Sequence, residues 1–255
     1  MRETASPRSP AWYVISLRPL GQHDAVRRAA ARAGMGCVAL STMRIVVCGD
    51  AKTQRRLRDA LAAPRVVFTS PNAVRAAASM GSLKRKRAQQ FFAIGAGTAA
   101  ALRRAGVDDV HVPARADSDA LLAMDALQDI AGMRVGLVTA PGGRDRLEPG
   151  LRARGASVLR ADVYAREAQA PSPRAFAALR AARGRWAIAL SSGEALRTLV
   201  EHAPADLVAK LRAARVLAGS PRLADEARAL GFRDLRLAEG ARPADLVAAR
   251  DARGA

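Results

Sequence analysis

Apolar residues along this chain fall into short extended runs, each followed by a stretch whose apolar positions recur at helical spacing. Trp12-Tyr13-Val14-Ile15-Ser16-Leu17 is a β-rich run that stops at Arg18-Pro19, and Asp24 to Ala33 follows as a helix closed by Gly34. Cys37 to Leu40 and Met43 to Val47 form a longer extended segment before a helix predicted from Thr53 to Leu61. Strand Val66 to Thr69 with helix Asn72 to Met80, strand Phe91 to Ile94 with helix Thr98 to Ala105, and a short strand Val110 to Val112 come next. Ser118 is expected to cap a helix reaching about Gln128, and strand Val135 to Thr139 leads to helix Asp145 to Ala153 and a second long extended segment, Val158 to Arg166. The remainder reads as helix Arg174 to Ala182, strand Ala187 to Leu190 with its helix, helix Asp206 to Ala213, strand Val216 to Ala218, helix Leu223 to Ala229, strand Leu235 to Leu237, and a helix from Ala244. Strands alternating with helices across short loops specify an α/β fold with a parallel sheet wound on both faces. Residues 1–11, rich in Ser, Pro and charge, read as a disordered tail.

The pattern occurs twice. Phe68-Thr69-Ser70-Pro71-Asn72-Ala73-Val74-Arg75 returns 122 positions later as Leu190-Ser191-Ser192-Gly193-Glu194-Ala195-Leu196-Arg197. Gly95 and Gly219 end matching strands, Gly106 and Gly231 close the helices that follow, and Arg32-Ala33-Gly34 matches Ala153-Arg154-Gly155. A repeat of this length exceeds a solenoid unit and predicts two similar domain-sized α/β units with a cleft between them. Ligands of parallel sheets sit beyond the carboxyl ends of the strands, so Ser70, Gly95, Ser192 and Gly219 fall on corresponding edges.

Composition adds bounds. At 255 residues and 50% hydrophobic content there is material for two small cores. No run approaches the roughly 18 apolar residues of a membrane span, and Met1 to Pro10 has no apolar signal core, so a cytoplasmic location is expected. Cys37 and Cys48, without a partner Cys-His cluster, read as reduced thiols. The net charge of +19 has two readings, an anionic partner or Arg-filled solvated helix faces. The run Lys84-Arg85-Lys86-Arg87 has no interleaved aromatic on which a base could stack and reads as a solvated loop, so nucleic acid is not the expected partner.

Gly95-Ala96-Gly97-Thr98-Ala99-Ala100 formally meets a dinucleotide pattern. The next strand, Val110-His111-Val112, carries no ribose-binding acid, and Gly219-Ser220-Pro221-Arg222-Leu223 abandons the pattern, which leaves the general reading of an anion nest at a helix start. Thr69-Ser70-Pro71-Asn72 and Ser191-Ser192-Gly193-Glu194 are explained either as helix caps or, because they are duplicated at equivalent edges, as shared binding loops. His23, His111 and His202 form no triad and read as structural; acid-base carboxylate pairs, metal-ligand clusters and a P-loop are missing from the pattern.

Over about residues 13–250 the chain resembles the uroporphyrinogen-III synthase family. The resemblance is carried by Val67-Phe68-Thr69-Ser70-Pro71-Asn72-Ala73-Val74, by Ala93-Ile94-Gly95-Ala96-Gly97-Thr98-Ala99, by Gly142-Gly143-Arg144-Asp145 with Leu151-Arg152-Ala153-Arg154-Gly155-Ala156, and by Asp162-Val163-Tyr164-Ala165-Arg166. It implies two similar doubly wound domains joined by a two-stranded β ladder: residues 12–37 plus 167–255 as one, residues 38–166 inserted as the other, with linker strands near 38–47 and 158–166. It also implies cyclisation of hydroxymethylbilane, a linear tetrapyrrole with eight carboxylates, to uroporphyrinogen III with inversion of the last pyrrole and loss of water, by a monomer that uses no metal or cofactor. The implied catalytic residue is Tyr164, hydrogen-bonding the departing hydroxyl; a hinge tyrosine packing between domains is the equal alternative. The implied carboxylate-binding residues are Arg18, Ser70, Asn72, Gly95, Thr98, Ser191, Ser192, Gly219, Ser220 and Arg222. The chain departs from the family's pattern at Ala140, where an Arg is frequent, and at Arg222, where a Thr is usual. These departures keep a second reading open, a non-catalytic ligand-binding or regulatory paralogue on the same fold.

Overall fold

The structure, a computed structural model, describes residues 9–142 and 146–251. Part of the tail expected at 1–11 and the Gly143-Arg144-Asp145 segment, including the expected helix start at Asp145, lie outside the described residues. The chain begins with β1 (Trp12–Ser16), α1 (Asp24–Arg32), β2 (Gly36–Ala39) and β3 (Met43–Val47). There follow α2 (Ala51–Leu61), β4 (Arg65–Phe68), α3 (Pro71–Met80), β5 (Gln90–Ala93), α4 (Ala96–Arg104), β6 (Val110–His111) and α5 (Ser118–Leu122). Then come β7 (Arg134–Thr139), α6 (Leu147–Ala153), β8 (Ser157–Asp162), β9 (Tyr164–Ala168), α7 (Pro173–Ala181) and β10 (Arg185–Leu190). The described chain ends with α8 (Gly193–His202), α9 (Ala205–Arg212), β11 (Arg215–Ala218), α10 (Pro221–Ala229), β12 (Leu235–Leu237) and α11 (Pro243–Ala248).

Two compact units result. Unit 1 comprises Met1–Arg44 and Glu167–Ala255, and unit 2 comprises Ile45–Arg166. Unit 1 holds a five-stranded sheet of order β12-β11-β10-β1-β2, and unit 2 one of order β6-β5-β4-β7-β8, with parallel pairing throughout both. The strands β3 and β9, which carry the chain from one unit to the other, pair as a two-stranded ladder. Matching the two orders position by position gives β10 to β4, β11 to β5, β12 to β6, β1 to β7 and β2 to β8. Each sheet therefore takes its βαβ edge from one copy of the repeat and its other three strands from the other copy. The sequence copies and the folded units have different boundaries because β1 pairs with β10 and β7 with β4.

Consecutive strand residues point to opposite faces, and both faces are covered. Ile15 and Ile188 join one cluster of unit 1 while Val14 and Ala187 join another. In unit 2, Val66 and Phe68 pack on one side and Val67 and Leu137 on the other. Burying each Val, Leu, Ile or Phe side chain among them contributes roughly 1.5–3 kcal/mol. The repeated glycines have a shared cause: Gly34 and Gly155 (φ +65° and +78°), like Gly106 and Gly231, reverse the chain just past a helix, where a left-handed residue satisfies the last carbonyls.

Of the boundaries that differ from the sequence expectation, three have a clear local cause. The helix expected from Thr53 starts at Ala51, because Asp50 is the cap and accepts from the Thr53 N–H at 3.0 Å. The helix expected from Ser118 to Gln128 is capped by Asp117 and ends at Leu122, where the Arg154 guanidinium and the Gln128 amide capture the Leu122 carbonyl. The long extended segments each break in two: β2 and β8 belong to the five-stranded sheets, and only β3 and β9 cross between units.

Candidate functional site

At the carboxyl edge of the unit 2 sheet, β4 delivers Thr69 and Ser70. Thr69 Oγ1 donates to Thr139 Oγ1 at 2.8 Å, tying the ends of β4 and β7. Ser70 caps α3 by accepting from the Ala73 N–H at 3.0 Å, and its hydroxyl also meets the Tyr164 hydroxyl at 3.0 Å. Tyr164, the first residue of β9, is 1% exposed within the unit 2 core. The Arg166 guanidinium, two residues along the strand, lies 3.5 Å from the same phenol oxygen. Asn72 Oδ1 accepts from Arg75 at 2.5 Å. Burial lowers the Arg75 pKa from its ordinary value, the positive Arg104 adds to the fall, and Tyr164 opposes it.

Gly95 caps α4 with extended backbone, and a Cβ there would meet the Ala116 methyl at 2.8 Å. Gly219 is its counterpart in unit 1, where a Cβ would meet Ala241 at 3.0 Å. In both units the loop after the next strand crosses over the glycine and leaves little room for a Cβ. Thr98 is 2% exposed. That burial places it on the packed face of α4.

In unit 1, Arg18 follows β1. Burial pushes its pKa down, and its guanidinium donates to the Ala241 carbonyl at 3.4 Å, with no carboxylate partner among the described residues. Ser192 caps α8 through the Ala195 N–H at 3.4 Å, and Ser220, not Gly219, caps α10 through the Leu223 N–H at 3.4 Å. Ser191 is half-buried beside them, with no side-chain hydrogen bond among the described residues. Arg222 pairs with Glu226, one turn along α10, and Glu226 also holds Arg197 at 3.0 Å. That ion pair has i,i+4 spacing on an exposed helix face, so a carboxylate ligand at Arg222 would share it with Glu226.

A cavity of about 320 Å³ opens at the unit 2 edge, between Thr69 and Thr139, the Asp117–Ser118 loop, Arg160 and Arg166. Arg160 is neutralised by Glu148 (3.0 Å) and Asp162 (3.1 Å), and hydrogen bonds, first from Arg152 and then from Arg160, hold the Glu148 carboxyl below its ordinary pKa. Arg166 meets no carboxylate among the described residues and so keeps an uncompensated charge at the cavity. Sequence reasoning passed over Arg166 as a site residue, although strand alternation places it on the same side as Tyr164. It also passed over Thr139, whose signal is a hydroxyl at a strand end like that of Thr69.

His23, expected on a helix, is the residue preceding α1 and is buried, its ring nitrogens meeting Ser16 Oγ at 2.9 Å and Ser41 Oγ at 2.8 Å. His111 stacks on Phe92, and His202 meets the Thr198 carbonyl. Among the described residues no three His, Cys, Asp or Glu side chains form a metal-holding group, and no helix is long and apolar enough to cross a membrane. Cys37 and Cys48 form no disulfide with each other.

Chemically, the two edges offer hydroxyls, helix N-termini, a buried phenol and guanidiniums, a set suited to carboxylates. The fold is that of a two-unit α/β protein with hydroxyl-capped helix starts at the strand ends of both units. The profile of the family described as uroporphyrinogen-III synthase HemD matches residues 24–248, and the chain belongs to that family. It is 37% identical over 156 residues to the uroporphyrinogen-III synthase of Salmonella typhimurium, a match covering 60% of this chain and 63% of that protein. It is 35% identical over 157 residues to that of Escherichia coli, covering 61% and 64%. The matched region thus spans somewhat less than two thirds of these relatives. Among solved structures, a mutant uroporphyrinogen III synthase of Thermus thermophilus shares the fold with a TM-score of 0.54 at 21% identity, over 93% of this chain and 96% of that one. The uroporphyrinogen-III synthetase of Helicobacter pylori shares it with a TM-score of 0.57 at 11% identity, over 90% and 93%.

Proposed function

We propose that this chain cyclises hydroxymethylbilane to uroporphyrinogen III, with inversion of the last pyrrole and loss of water, as a cytoplasmic monomer using no metal or cofactor. The observation that carries the reading is the family match over residues 24–248, because it spans both serine loops and Tyr164. Holding a reactive geometry can lower a barrier by roughly 7–11 kcal/mol without a strong acid or base, which suits an edge made of hydroxyls and guanidiniums. Substrate carboxylates would meet Arg18, Ser191, Ser192, Ser220 and the Gly219 turn in unit 1. In unit 2 they would meet Asn72, the Gly95 turn and Arg166.

Ser70 suits a proton relay. Its oxygen accepts from the Ala73 N–H and, in one arrangement, from the Tyr164 hydroxyl, which leaves its own proton for the departing hydroxyl of the substrate. The leaving group then departs as water, Ser70 regains a proton from Tyr164, and the phenolate sits beside Arg166. The proton released when the ring closes returns to it. This route lets a phenol that is 1% exposed act through an accessible neighbour.

The test is a coupled assay with freshly generated hydroxymethylbilane, oxidation of products and chromatographic separation of the I and III isomers. Isomer III in excess is the expected outcome. Isomer I alone from folded protein, the product of uncatalysed closure, would overturn the assignment and leave a ligand-binding paralogue.

A further inference from the structure

The amino-terminal edge of the unit 1 sheet, opposite the edge that carries Arg18 and Ser192, holds a separate cavity of about 400 Å³. Both tryptophans of the chain lie there, Trp12 at the start of β1 and Trp186 near the start of β10. Arg185 stacks on Trp12 with its Cζ 4.3 Å from the ring centre, and Lys210 Nζ lies 4.0 Å from the centre of Trp186. Arg183 completes the rim. Among the described residues none of these three cations has a carboxylate partner. The one acid of the cavity, Asp234, is already taken by Arg215 at 2.9 Å and Arg236 at 3.0 Å.

The arrangement leaves donors free as well as charge. The Arg185 guanidinium over Trp12 makes no side-chain hydrogen bond among the described residues, so its N–H groups are available for a bidentate oxyanion. Lys210 gives one hydrogen bond to the Ala182 carbonyl at 3.2 Å, the acceptor also used by the Trp186 indole at 2.9 Å, and retains two further protons. Stacking restricts both long side chains before any ligand arrives, so less rotamer entropy is lost on binding.

We propose that this cavity is a binding site for a small oxyanion carrying at least two negative charges, of phosphate or polycarboxylate chemistry. Neutralising three uncompensated cations favours a multiply charged ligand over chloride. The site is distinct from the strand-end loops and does not rest on the activity proposed for them.

The two tryptophans make it self-reporting. The whole protein is titrated with sodium pyrophosphate and, separately, with sodium citrate, at ionic strength held constant with sodium chloride, while tryptophan fluorescence is followed. A saturable change with pyrophosphate alone assigns phosphate chemistry, with citrate alone carboxylate chemistry, and with both a general dianion site; each supports the proposal. In Arg185→Gln/Lys210→Gln, binding is expected to weaken at least about ten-fold, while Arg55→Gln, an exposed change on α2, leaves it unaltered. Should the double variant fail to fold, Arg183→Ala, which removes no interaction among the described residues, must still weaken binding. A response that only follows ionic strength, or that survives these substitutions, overturns the site.

Discussion

The two units share one strand order but treat corresponding positions differently. Ser70 and Ser192 both cap a helix after the third strand of their sheets, yet only Ser70 touches a phenol. Tyr164 opens β9, and the residue that opens the paired strand β3 is Met43. Arg75 and Arg197 occupy matching turns of α3 and α8, and Glu226 neutralises only Arg197. Unit 2 therefore concentrates a buried hydroxyl and uncompensated guanidiniums at its edge, while unit 1 answers its own charge at that edge internally except at Arg18. A duplicated scaffold has kept its backbone caps in both units, while unit 2 gathers its candidate chemistry from both sequence copies, Ser70 from the first and Tyr164 and Arg166 from the second.

The sharpest break of the comparison is structural. Gly136 on β7 pairs with Val66 as Ile15 on β1 pairs with Ile188, so the two sheets place a glycine and an isoleucine at corresponding positions. The glycine is required because a Cβ at Gly136 would lie 2.0 Å from the Ala60 carbonyl oxygen of α2. Gly136→Val is expected to destabilise by about 3 kcal/mol or more, since backbone cannot yield as a side chain can. Urea denaturation checks it. Tyr164→Phe removes the hydroxyl and is expected to lower isomer III formation about 100-fold with little change in KM. Met43→Leu, at the matching position, should leave the rate unchanged. Next, Ser70→Ala loses a cap and leaves the Tyr164 hydroxyl short of a partner, an expected cost of about 2 kcal/mol, against about 1 kcal/mol for Ser192→Ala.

Unit 1 carries the buried histidine, and its pH dependence follows from that. Burial, then Arg27, lowers the His23 pKa below its ordinary 6.5. The unfolded chain binds the proton more tightly, so this contribution to stability is complete above 6.5 and is lost as pH falls toward the folded value. Between about pH 7.5 and 5.5 the Tm should drop further in the parent protein than in His23→Gln, as read by calorimetry. The smallest effect is expected from Arg222→Ala: its exposed pair with Glu226 contributes about 0.5 kcal/mol or less, and turnover should change less than in Arg166→Gln.

Much of this was legible in the sequence. Glycine stops, hydroxyl caps and period-two apolar runs located the strands and helices, and the duplication placed Ser70 and Ser192 on equivalent edges. The exchange of βαβ segments between units was hidden, because it depends on which distant strands pair, as β1 does with β10. Thr53 and Ser118 mislead as helix starts because Asp50 and Asp117 cap equally well and stand nearer the true start. The burial of Thr98 depends on packing around α4, which local pattern does not encode. The pairing of Arg222 was readable from its four-residue spacing to Glu226, and the role open to Arg166 from its alternation with Tyr164.

The asymmetry between the serine loops is tested most directly by the rate of isomer III formation in Ser70→Ala and Ser192→Ala, assayed side by side with the parent protein. The account predicts a fall of about ten-fold or more for Ser70→Ala, where the relay is cut, and only a few-fold change for Ser192→Ala. Equal losses, or the greater loss at Ser192, would contradict it.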